Sequence, residues 1–163
     1  FFYSGHGGQE ENSHDVREID GTDENIMLYD GSIRDDTMGE LFNTLRARVS
    51  LLALDSCFAG GFAKDVITRP GRVGFFSSQE DVESSVAGQF EAGGYLSYFM
   101  RTGVAGEADA SPDDGVLTVG ELEHFLYRQF GRHAMDIEMQ GAFQHLVVDR
   151  GAVRATEVLW RYR

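Results

Sequence analysis

Cys57 is the only cysteine in a chain of 163 residues. It closes the run Leu51-Leu52-Ala53-Leu54-Asp55-Ser56-Cys57 and is followed at once by Phe58-Ala59-Gly60-Gly61. A thiolate is a strong nucleophile toward carbonyl carbon, but a free cysteine ionises near pH 8.5 and needs a neighbouring imidazolium to be active at neutrality. The chain opens with a candidate in Phe1-Phe2-Tyr3-Ser4-Gly5-His6-Gly7-Gly8, an aromatic run that stops at a histidine flanked by glycines. Together His6 and Cys57 could carry acyl transfer, with His6 polarising the thiol and later protonating the leaving amine. A lone cysteine more often packs as a small hydrophobe, so the case rests on the pair. Backbone N–H groups at Gly7 and Cys57 are the natural oxyanion donors, because glycine permits a close approach. Asp55 lies two positions before Cys57, on the same side of an alternating strand. There it could receive a basic side chain of a substrate, or else cap a loop.

Two strands must position this chemistry. An apolar run of four to eight residues bounded by turn signals predicts a strand buried on both faces, as in parallel sheets. Chemistry in such sheets gathers beyond the carboxyl ends of the strands, where parallel strands would set His6 and Cys57 side by side. Met38, Leu41, Phe42, Leu45 and Val49 recur at helical spacing and predict the crossover between the two strands. Thr37-Met38-Gly39-Glu40 is a capping box that would start this helix. Residues 9–37 ahead of it read as a long acid-rich loop, anchored by Ile26-Met27-Leu28-Tyr29.

Beyond Cys57, Gly60-Gly61-Phe62-Ala63 predicts a short helix and Thr68-Arg69-Pro70-Gly71 a turn. Arg72 to Ser78 predicts a third strand ending in hydroxyls at the active edge, which makes Ser77 a candidate substrate-binding residue. Residues 79–93 suit a loop for substrate binding or processing, and Tyr95 to Met100 an apolar helix whose Tyr95, Tyr98 and Phe99 pack in the core. Thr118-Val119-Gly120-Glu121 is a second capping box, opening a helix with Leu122, Phe125, Leu126 and Phe130 on one face. Leu146-Val147-Val148 and Val158-Leu159-Trp160 predict short strands. The fold class is α/β, with a single domain over residues 1–163.

A net charge of −13 argues against nucleic acid, whose phosphates need clustered Lys and Arg. The charge is compatible with cationic substrates, with metal ions or with solubility alone. Hydrophobic content of 42% and charged content of 25% are ordinary for a globular protein, and no run is long enough to cross a membrane. One cysteine allows no internal disulfide, which fits a reducing, cytoplasmic setting. His14, His124, His133 and His145 have no metal-ligand spacing. The acidic stretch from Asp109 to Glu121 fails as a calcium loop, because Gly115 and Glu121 cannot both take their required positions in register with the first ligand.

Ser4-Gly5-His6-Gly7 followed roughly 50 residues later by Asp55-Ser56-Cys57 resembles the caspase-like cysteine peptidases, and among them the metacaspases and their bacterial relatives. The glutamine-alanine-cysteine-arginine-glycine motif of true caspases is absent. The resemblance continues through Asp20-Gly21-Thr22-Asp23-Glu24, Ile33-Arg34-Asp35-Asp36, Gly93 to Tyr98, and Gly115 to Glu121. It implies a caspase-like fold, a mostly parallel central sheet flanked by helices. The strands that precede the histidine strand in that fold would be missing from this chain. It also implies a His6–Cys57 dyad without a third member, cleavage of protein or peptide substrates after Arg or Lys through a thioester, and Asp55 as the carboxylate of the basic pocket. The chemistry requires no cofactor. The resemblance implies calcium as an activator at Asp23, Asp35 and Asp36, with Asp65 an approximate fourth, although some bacterial relatives work without it. Asp35 and Asp36 could equally serve a helix start. The rival expectation is a catalytically silent regulatory or scaffolding module that keeps the fold.

Overall fold

The computed structural model describes residues 1–11, 21–110, 112–141 and 143–162. Its strands and helices are, in chain order, β1 (Phe2–Ser4), β2 (Gly7–Glu11), β3 (Thr22–Leu28), β4 (Gly31–Arg34), α1 (Asp35–Thr44), β5 (Ser50–Asp55), α2 (Phe62–Val66), β6 (Arg72–Phe76), α3 (Tyr95–Thr102), β7 (Val116–Thr118), α4 (Val119–Arg132), α5 (Ala134–Glu138), β8 (Val147–Asp149) and β9 (Val158–Arg161).

The central sheet has the order β1-β5-β6-β8. β1, β5 and β6 run parallel and β8 closes the far edge antiparallel. This is the mixed α/β architecture expected from the two apolar runs. Alternation along β5 splits the core in two. Leu52 and Leu54 face α1 and α2, packing with Met38, Phe42, Phe62 and Val66. Ala53 faces the other side with Val73 and Phe75 of β6, against Tyr95 and Phe99 of α3 and Leu122, Phe125 and Leu126 of α4. Each large apolar side chain so buried contributes about 1.5–3 kcal/mol of transfer free energy.

The crossover is anchored by a buried cation. Arg72, at the start of β6, donates to the carbonyls of Phe42 and Leu45 at 2.8 and 3.0 Å and to Ser50 Oγ at 3.2 Å. These carbonyls sit at the end of α1, where helix geometry leaves acceptors without intrahelical partners and favours positive charge.

The described part of residues 9–37 is not a loop. β2, β3 and β4 form an antiparallel three-stranded sheet, with Gly7 opposite Ile26 and Ile26 opposite Ile33. Apolar alternation gives no warning, because the consecutive buried residues Asp23, Glu24 and Asn25 precede Ile26. Of the supposed anchor, only Ile26 is buried, while Tyr29 is fully exposed. α1 also starts earlier than the Thr37 capping box predicts. Its N-cap, Arg34, makes no side-chain cap, and the first turn carries Asp35, which is buried, and Asp36, an acidic residue placed at the positive end of the helix dipole.

The second capping box forms as read: Glu121 N–H donates to Thr118 Oγ1, and Thr118 N–H donates to Glu121 Oε2 at 2.9 Å. β7 and α5 carry no strong periodic signal and were not anticipated, while the third strand stops at Phe76. Asp20 and His14 lie outside the described residues.

Candidate active site

β1 and β5 end level with each other, since Ser4 pairs with Asp55. The chain then leaves both strands at one edge of the sheet, carrying His6 and Cys57. Phe58, next after Cys57, holds a left-handed backbone (φ 59°), an unusual state for a residue with a side chain. Its N–H donates to the Val82 carbonyl at 2.9 Å, so the turn that presents Cys57 is secured by the loop after β6. The backbone of Gly7 lies directly against the Cys57 carbonyl, where a Cβ would collide. Met27 N–H bonds to the His6 carbonyl, which leaves Gly7 at a non-hydrogen-bonded position of the β2–β3 ladder. Its N–H therefore points away from β3.

His6 is exposed and Cys57 half-buried, and both line one cavity of about 400 Å³. Asp55 lines it too, with Ser4, Ser84, Ser85, Val86, Gly93 and Gly94. The Asp55 carboxylate is buried. Oδ2 accepts from the Ser97 N–H at 2.7 Å, while Oδ1 has no hydrogen-bond partner among the described residues. Burial pushes its carboxyl above the usual range, against hydrogen bonds from Ser97. Gly94 packs flat on this carboxylate, and no side chain fits there.

Ser77 sits beneath the Cys57 turn, fully buried. Its Oγ accepts from Ser56 N–H and donates to the Ser56 carbonyl, both at 3.0 Å. The hydroxyl thus braces the residue before Cys57 and does not line the cavity. Ser84, Ser85, Val86 and Gly93, which do line it, fall within residues 79–93, the stretch read from sequence as a loop for substrate binding or processing, although none of them stands out individually there. Ser84 N–H donates to Cys57 Sγ at 3.3 Å.

The four acidic residues expected to hold calcium gather only in part. Asp35 and Asp65 are buried close together with Glu24, and burial followed by these two charges pushes Asp35 up to about 8, against N–H bonds from Asp36 and Glu24. Asp23 is paired with Arg34 at 2.8 Å. Both Asp35 oxygens accept backbone N–H groups, from Asp36 at 2.9 Å and Glu24 at 3.4 Å. Among the described residues no three acidic, imidazole or thiol side chains converge as a metal site. Among the described residues, these acids as placed do not form a calcium cage. Glu24 is instead bound by Lys64 at 3.2 Å and by Gln9 at 3.0 Å. Lys64 also pairs with Glu80 of the active-site loop.

A parallel sheet that brings a histidine and a half-buried cysteine to one cavity defines a candidate thiol hydrolase. Residues 1–65 match the family model of the metacaspase, peptidase C14 domain, a stretch that includes both His6 and Cys57. The resemblance drawn from the two motifs is therefore found independently, and the matched segment is similar to a cysteine peptidase domain. No curated protein matches the chain. Among the described residues, no helix is long and apolar enough to cross a membrane.

Proposed function

We propose that the chain is a cysteine endopeptidase that cleaves protein or peptide substrates after Arg or Lys. The observation that carries this reading is the single cavity lined by His6, Cys57 and Asp55 at the ends of two parallel strands. In this reading the imidazole takes the thiol proton and the Cys57 sulfur attacks the scissile carbonyl carbon, forming the C–S bond. The carbonyl oxygen becomes an oxyanion, met by N–H groups at Gly7 and Cys57. Collapse of the intermediate breaks the C–N bond as the imidazolium gives its proton to the leaving amine. Water, deprotonated by His6, then hydrolyses the thioester and regenerates the thiol. The substrate's guanidinium or ammonium is held by Asp55, whose Oδ1 has no hydrogen-bond partner among the described residues. A buried carboxylate of this kind costs free energy until a cation arrives, which favours basic over acidic substrates. The chemistry needs no cofactor, and a reducing cytoplasmic setting keeps the thiol available.

The test is cleavage of paired fluorogenic peptides ending in Arg or in Asp, with Cys57→Ala and His6→Ala as controls. Cleavage after Arg that both substitutions abolish is the expected outcome. Cleavage only after Asp overturns the pocket assignment, and cleavage unaffected by Cys57→Ala overturns the nucleophile.

A further inference from the structure

Gln144 belongs to the segment leading into β8, far from His6 and Cys57 in sequence, and is 5% exposed. Its amide is fully used. Nε2 donates to the Ser77 carbonyl at 2.7 Å and to Ser84 Oγ at 2.9 Å, and Oε1 accepts from the Ser85 N–H at 2.8 Å. Only this orientation of the amide works, because the reverse would set NH₂ against an N–H and oxygen against a carbonyl. Ser84 Oγ passes the link on, donating to Ser77 Oγ at 2.8 Å, and Ser77 Oγ holds both backbone groups of Ser56. One buried side chain thus ties the loop after β6 to the residue before the nucleophile.

This network sets Ser84 against the reacting atom: its main-chain N–H donates to Cys57 Sγ at 3.3 Å, the shorter contact, while the thiol itself reaches the Ser84 carbonyl only at 4.0 Å. A donor aimed at sulfur stabilises the anion more than the neutral thiol. We propose that the Ser84 N–H is a catalytic hydrogen-bond donor to the Cys57 thiolate, and that Gln144 is the positioning residue that holds it there. The inference rests on Cys57 being the nucleophile, and it adds a thiolate donor from the loop after β6 to the proposed dyad and oxyanion hole. The arrangement fits a site in which His6 is exposed and cannot alone shield the anion from water.

The experiment compares wild type, Gln144→Met and Ser84→Ala. Cys57 is the sole cysteine, so iodoacetamide reports on that sulfur alone. Gln144→Met keeps the length of the side chain and removes all three bonds, while Ser84→Ala removes only the hydroxyl link. Alkylation at neutral pH is expected to slow roughly tenfold in Gln144→Met, the scale of losing one hydrogen bond to a charged group. It should slow less in Ser84→Ala. Turnover of the arginine peptide should fall in kcat with little change in KM. A mere loosening of the loop would expose the sulfur and speed alkylation, so faster labelling overturns the assignment. An unchanged rate in either folded variant, judged by circular dichroism, does the same. Should Gln144→Met not fold, Ser84→Ala alone decides. Failure of the peptidase reading looks different: wild type would cleave no peptide, whereas failure of this inference leaves wild-type cleavage intact.

Discussion

Asp35→Asn offers a quantitative test of how the acidic cluster is held. Asp35 is inaccessible to solvent, and its carboxyl lies at about 8 in the folded protein against 3.8 when unperturbed. The causes are burial first, then the charges of Asp65 and Glu24. Between about pH 4 and about pH 8 the folded chain therefore keeps a proton that the unfolded chain has released. The unfolded state binds one proton fewer, so stability must fall as pH rises through this window, by about 1.4 kcal/mol per unit. Below about pH 4 both states are protonated, and above about pH 8 both are ionised, so the contribution is flat on either side. Asparagine imitates the neutral carboxyl and cannot lose a proton. Urea unfolding of wild type and variant at about pH 5 and about pH 7 isolates the effect, because every other titrating group is common to both. The wild type should lose roughly 3 kcal/mol relative to the variant across those two units. A difference that stays constant, or that grows in favour of wild type with pH, refutes the buried neutral carboxyl.

Asp55→Asn should lower kcat/KM for an arginine peptide roughly a hundredfold through KM, the scale of losing one partner of a buried ion pair. Because burial raises the Asp55 carboxyl, acidification should raise KM in the wild type as that group takes up a proton, while the variant stays flat; a KM independent of pH in both refutes the pairing. Thr118→Ala removes the capping box of α4 and should destabilise the fold by about 1 kcal/mol, read as a lower thermal midpoint with unchanged Cys57 alkylation. Calcium and chelator should leave the cleavage rate equal, since Asp23 is already paired with Arg34 and both Asp35 oxygens hold N–H groups. Stimulation by calcium would mean that the cluster rearranges around the ion.

The parts of the fold legible in sequence are those where burial writes a pattern. β5 is an apolar run because both its faces are covered, and the face of α4 repeats at helical spacing because it lies on the sheet. β2 and β3 hide for the opposite reason. Three of their four consecutive buried positions are Asp23, Glu24 and Asn25, ahead of Ile26; these three read as loop residues and are retained through ion pairs and hydrogen bonds such as Arg34 to Asp23 and Lys64 to Glu24. The Thr37 capping box misled because local motif and tertiary context disagree: Asp35 is drawn into the buried cluster, and the helix begins with it.

The site divides along the same line. His6, Cys57 and Asp55 announce themselves by residue type at the ends of strand-like runs, so their meeting follows from parallel pairing alone. Ser84 and Gln144 have no such signature, because what matters in Ser84 is a main-chain N–H that any residue but proline could supply. Its value depends on where the chain is held. That placement comes from Gln144, Ser77 and the Val82–Phe58 bond, three contacts that join segments distant in sequence. A candidate nucleophile can thus be read from a motif. The group proposed to stabilise its charge can be read only once the turn of Phe58, the loop after β6 and the segment before β8 have been brought together.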